Sequence, residues 1–178
     1  TLRFTLANPN TTALTGVSFS DVLPTGLLIA TPNGLTGPSC TSGSLTGETT
    51  TAIAGTSTIS LSGATLSAGA NCTISVDVLG DVAGQYTNIS GNITSTETGP
   101  NTTSSGFGTS SLTVIAPPVI AKSFTANPIF TGDDTSLNFS INNPNTATAL
   151  TGVSFTDSLP AGLVVASPNG LSGSCGGG

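Results

Sequence analysis

A chain of 178 residues with two basic and eight acidic side chains, a net charge of −6 and no histidine cannot neutralise a row of phosphates or an anionic lipid surface, so nucleic acid and membrane-surface partners are excluded. The missing histidine removes the usual general base and the commonest metal ligand together. Charged residues make up only 6% of a chain rich in Gly, Ser, Thr, Asn and Pro, a composition that favours short strands and tight turns over long helices, while positive mean hydropathy and alternating apolar runs argue against disorder.

The first element is Thr1-Leu-Arg-Phe-Thr-Leu6, where Leu2, Phe4 and Leu6 share one strand face and Arg3 and Thr5 the other. Asn8-Pro9-Asn10 breaks that ladder, because proline has no N–H to give. Alternation then predicts strands at residues 16–21, 27–30, 57–61, 71–79, 85–93 and 110–115. Residues 32–50 and 95–106, rich in turn formers, read as loops. Ala116-Pro117-Pro118 is a semi-rigid connector, and strands follow at residues 119–124 and 136–141. Roughly seven to nine strands per unit predict an all-β fold of immunoglobulin-like β-sandwich units. No apolar run reaches the length of a membrane span, so no membrane insertion is expected in this segment.

The chain is organised around an internal repeat. Residues 7–27 are spelled again, almost word for word, at residues 142–163, and Pro32-Asn-Gly-Leu35 with Cys40 is answered by Pro168-Asn-Gly-Leu171 with Cys175. The period is about 135 residues, the size of one domain. The expected domains are therefore residues 1–116, a sandwich unit lacking the strand that precedes Thr1, and residues 117–178, the opening part of the next unit. Residues 119–124 show what that preceding strand looks like one period later, so the units are expected to partner one another head to tail, as repeats of one polypeptide or as separate subunits.

The run Pro118-Val-Ile-Ala-Lys-Ser-Phe124, then Gly132-Asp133, then Leu137-Asn-Phe-Ser-Ile-Asn-Asn-Pro-Asn145, then Leu150-Thr-Gly-Val-Ser-Phe-Thr-Asp-Ser-Leu-Pro-Ala-Gly-Leu163, resembles the conserved-repeat domains of large microbial surface proteins, a family of unknown function. The resemblance spans essentially the whole chain. It implies exported tandem immunoglobulin-like beads used as stalks, adhesins or fibres, and it brings no catalytic residues with it.

Nothing in the chain spells an enzyme. A Ser–Lys dyad would have to use Lys122, whose neighbour Ser123 takes the opposite strand face, and no cofactor motif is present. Cys40 and Cys175 hold the same position in successive units, which leaves Cys72 as the natural disulfide partner of Cys40 and a cysteine downstream as that of Cys175; two small buried thiols are the alternative. A disulfide places the protein outside the cytoplasm, secreted or at a cell surface. The acids Glu48, Asp77, Asp81, Glu97, Asp133 and Asp134 are too dispersed for a calcium loop, Gly132-Asp133-Asp134 coming nearest. Six Asn-x-Ser/Thr sequons, at Asn10, Asn71, Asn88, Asn92, Asn101 and Asn138, are candidate glycosylation sites.

Lys122 falls on the face of Ile120 and Phe124, and Asp157 on that of Val153 and Phe155, as Asp21 does beside Val17 and Phe19. An unpaired charge on a core face is costly. Three readings follow: strand ends that have already left the core, with Asp21 and Asp157 capping the Leu-Pro turn; a buried Lys122–Asp157 ion pair; or a Lys-to-Asn isopeptide crosslink with the acid as proton shuttle. The functional expectation is a non-catalytic structural protein of an extracellular filament, stalk or surface fibre. The alternative is an adhesive module with glycans as partner, which the absence of Trp and the single Tyr86 disfavour.

Overall fold

Leu2, Phe4 and Leu6 alternate with Arg3, Thr5 and Ala7, and the alternation becomes strand β1 (Leu2–Ala7), its first set turned inward and its second in water. The computed structural model describes residues 1–175, which fall into two units, Thr1–Ile115 and the residues from Ala116 onward. After β1 the first unit contains β2 (Leu14–Val22), β3 (Leu27–Ile29), β4 (Thr36–Ser42), β5 (Leu45–Thr46), β6 (Thr49–Ala52) and β7 (Thr58–Leu66). It continues with β8 (Asn71–Val76), β9 (Val78–Gly80), β10 (Gly84–Ile89), β11 (Thr94–Ser95), β12 (Gly99–Pro100) and β13 (Thr109–Val114). Among the described residues there is no helix.

One sheet runs β1-β8-β4 and another β12-β11-β2-β7-β5, with β6 also on β7, while β10 pairs β13 and β3 pairs β9. Every pairing is antiparallel. Leu6, Cys72 and Ile74 of the first sheet meet Val17, Leu61, Ala64 and Leu66 of the second in one buried cluster. Leu23, Leu27, Ile29, Ala52, Ile59 and Val76 form another. Each large aliphatic side chain so buried contributes about 1.5–3 kcal/mol. The all-β architecture, sheets enclosing an apolar core, is consistent with a β-sandwich.

A bulge in β2 sets the inward face on which the site is built. The register with β7 shifts between Leu14 and Phe19, and Gly16 takes φ +61° there. The extra residue lets Leu14 and Val17, three apart, both pack on the core, and it puts Val17, Phe19 and Asp21 on one side.

Three sequence expectations change. Residues 32–50 are not a loop: β4, β5 and the start of β6 lie within them. Six of the seven β4 residues are exposed, so this edge strand has no buried set for hydrophobic periodicity to register, and it is held by pairing with β8. Likewise β11 and β12 interrupt residues 95–106. The strand expected over 71–79 divides at Asp77, where the backbone leaves the ladder to exchange hydrogen bonds with Asn33 and Ala30; β8 then serves β1 and β4, and β9 serves β3.

The second unit contains β14 (Val119–Phe124) and β15 (Leu137–Asn142), paired antiparallel with Lys122 opposite Phe139. Beyond Asn142 none of the described residues is in a strand, although residues 150–158 nearly repeat β2.

Candidate functional site

Asp21 follows Val17 and Phe19 at two-residue steps on the inward face of β2, and that phase carries it to 0% exposure. The expectation that it has left the core to cap the Leu-Pro turn is corrected here. β2 runs on through Val22, opposite Thr58, and Leu23 N–H still bonds the Ser57 carbonyl at 2.8 Å, so the ladder holds Asp21 inside. Burial pushes its carboxyl pKa above the ordinary value, and a hydrogen bond from Asn88 partly offsets this. Asn88 Nδ2 donates to Asp21 Oδ2 at 2.8 Å. Oδ1 of Asp21 and Oδ1 of Asn88 are both buried without a hydrogen-bond partner, a cost of about 1–3 kcal/mol each.

Asn88 is the residue sequence reasoning misread. It entered as a sequon, yet it is 7% exposed and committed to Asp21, so it does not fit a glycan acceptor. The available signal was phase: Asn88 lies two residues beyond Tyr86 on the face of β10 that turns inward.

The second unit builds the same scaffold around a different partner. Phe4 packs on Phe19 with ring centroids 4.9 Å apart, and Phe139 on Phe155 also at 4.9 Å. Asp157 stands two residues beyond Phe155 as Asp21 does beyond Phe19. There, Lys122 Nζ donates to both Asp157 carboxylate oxygens, at 2.7 and 2.9 Å. The pair is 40% and 25% exposed, which limits its net contribution to about 0–1 kcal/mol. Both of these Nζ hydrogen bonds go to the Asp157 carboxylate, a contact shared by the ion-pair reading and by the crosslink reading with the acid as shuttle.

Cys40 and Cys72 lie opposite each other across β4 and β8 and are bonded. Closing a loop of 32 residues stabilises the unit by roughly 3 to 4 kcal/mol on the chain-entropy estimate, and it staples an edge strand that has almost no buried surface of its own. Cys175 is an exposed free thiol.

The remaining candidates do not converge. Among the described residues no three of His, Cys, Asp and Glu come together as a metal site. Glu97 accepts from Thr15 N and Oγ1 at 2.8 and 2.6 Å, which lowers its pKa and ties the turn after β11 to β2. Asp77 accepts from Thr1, and Asp133 accepts from Phe130 N. Asn10, Asn71, Asn92 and Asn138 are exposed and Asn101 half-buried; Asn138 donates to Thr125 and Asn101 to Ser105. Tyr86 is half-buried against Gly26 and its hydroxyl donates to the Val82 carbonyl at 2.7 Å. No described helix is long and apolar enough to cross a membrane.

Searches against curated proteins and against solved structures returned no match. The model of one family, described as "Domain of unknown function (DUF7933)", matches residues 1–114 and 118–178, nearly the whole chain, and this protein belongs to that family.

Proposed function

We propose that this chain is a stretch of an extracellular structural array, non-catalytic, in which immunoglobulin-like beads follow one another in tandem through short proline-rich connectors to form a stalk, filament or surface fibre. One observation carries the reading: two segments of one chain build the same aromatic-and-acid scaffold, with ring separations of 4.9 Å in both. Diverged copies of a mechanical unit have that character, since a repeated unit keeps the packing contacts that hold it together while its other positions drift. Two further features support it. The disulfide suits an oxidising compartment, and a skin with only two basic residues offers trypsin few cuts.

The test uses an antibody raised against this chain on fractionated cells of the source organism, boiled in detergent with reductant. The expected result is a very large species in the surface or medium fraction, with fibrous or stalk-like labelling by electron microscopy. A small species confined to the cytosol overturns the reading.

A further inference from the structure

Two polar atoms are left over in the core of the first unit, and they belong to one pair of side chains. Asp21 on β2 and Asn88 on β10 are both buried, and Asn88 Nδ2 donates to Asp21 Oδ2 at 2.8 Å. The atoms without a partner are the other oxygen of each group, Asp21 Oδ1 and Asn88 Oδ1. Both are acceptors while the acid is ionised, so neither can serve the other. One proton changes that. A carboxylic acid carries a donor and an acceptor side by side, and so does a primary amide, so the two groups can close a ring of two parallel hydrogen bonds. The N–H contact already made is the first of these, and a proton on Asp21 Oδ1 supplies the second.

The surroundings of Asp21 are apolar or already engaged. β7 sets Ile59 opposite it, and the turn that follows β2 begins with buried Leu23. β10 carries Tyr86 on the same face as Asn88, with its hydroxyl given to the Val82 carbonyl. Of the two basic residues, Arg3 lies on the exposed face of β1 and Lys122 is bound to Asp157. The acids Glu97 and Asp77 are held by Thr15 and Thr1. Burial first, and then the Asn88 hydrogen bond, are what act on the Asp21 carboxyl, with no ion pair and no like charge among the causes.

We infer that the folded first unit holds Asp21 as a neutral acid whose Oδ1–H donates to Asn88 Oδ1, and that this shared proton is a pH-operated clasp between the sheet of β2 and the sheet of β10 and β13. The two strands belong to different sheets, and among the described residues this contact is the side-chain hydrogen bond that joins them. Loss of the proton leaves a carboxylate buried beside an amide oxygen, with no counterion. The clasp is therefore closed where the folded unit keeps the proton and opens as pH rises past that point, so the unit is tighter in acidic surroundings. The inference goes beyond the array reading and does not depend on it.

Carbon-13 and nitrogen-15 NMR of the side chains tests it, on the whole chain titrated upward from the ordinary aspartate range. One carboxyl, identified as Asp21 by its loss in Asp21→Asn, is expected to ionise clearly above the other aspartates, and the Asn88 side-chain amide should shift with it. Across the same step, hydrogen exchange in β10 and β13, corrected for its intrinsic pH dependence, should become about tenfold faster while β4 and β8 keep their protection. Asp21→Asn replaces the acid by a second amide, which can pair with Asn88 without a titrating proton. It should abolish the step and keep exchange in β10 slow throughout. An Asp21 carboxyl that ionises with the exposed aspartates, an Asn88 amide that stays still while Asp21 titrates, or an equal step in Asp21→Asn overturns the inference. Should the variant not fold, the Asp21 and Asn88 titrations of the unaltered chain decide, with the Asp21 signal assigned through its bonded backbone.

Discussion

The first unit and the second spell nearly the same words and reach different states. Residues 14–22 form the nine-residue strand β2, whereas residues 150–158 are in no strand. Val17 is 1% exposed and its counterpart Val153 46%. The difference is partnership: β2 pairs along most of its length with β7, whereas residues 150–158 pair with no strand among the described residues. Local propensity proposes a strand, and cross-strand pairing makes one. What survives in both units is what neighbours in sequence can make alone: the Phe–Phe contact and the asparagine turns, in which Asn8 and Asn143 side chains accept from the residue two positions on.

Removing the staple should have the largest effect on this contrast. Cys40→Ser together with Cys72→Ser is expected to cost the first unit roughly 3 to 4 kcal/mol and the second nothing, seen by urea unfolding with hydrogen exchange resolving the two. Unchanged protection in β4 and β8 would mean that pairing alone holds that edge. Next comes a glycine contrast. Gly26 has φ +103° and Gly162 +95°, but a Cβ at Gly26 collides with the Tyr86 ring while one at Gly162 meets open space. Gly26→Ala is therefore expected to lose about 1–3 kcal/mol and Gly162→Ala clearly less; equal losses would show backbone strain alone at work.

The acid provides a smaller and sharper test. Burial raises the pKa of Asp21 in the folded state, so over the range just above the ordinary carboxylate value the folded unit holds a proton that the unfolded chain has released. The first unit should accordingly lose stability as pH rises through that range. Asp21→Asn removes this slope and supplies an N–H to the unpartnered oxygen of Asn88, so near neutral pH it is expected to be neutral or stabilising by about 1 kcal/mol. Melting curves across pH decide, and a slope that persists in the variant would assign it elsewhere. The smallest effect belongs to Lys122→Met in the isolated chain, about 0–1 kcal/mol for a pair this exposed, read as exchange protection in β14. Intact mass should show no deficit of about 17 Da, the ammonia a lysine–asparagine crosslink would release.

Much of this was legible in the sequence, and the reason differs by residue. Period-two alternation marked β1, β2, β14 and β15, because one face of each carries apolar side chains whatever comes to cover them. The cysteine partners followed from the repeat, and Lys122 and Asp157 from strand phase. Polar edge strands such as β4 were not legible, since a strand exposed on both faces leaves no periodic trace. Nor was Asn88, whose role depends on a residue 67 positions away in sequence. The chain by itself determined an all-β protein, its repeat and the phase of each inward face, all of which are local in sequence. Only the tertiary structure decided which faces meet, and therefore that one aspartate of the repeated pair is sealed beside an asparagine while the other lies under a lysine, because burial is a property of the neighbours that assemble around a residue.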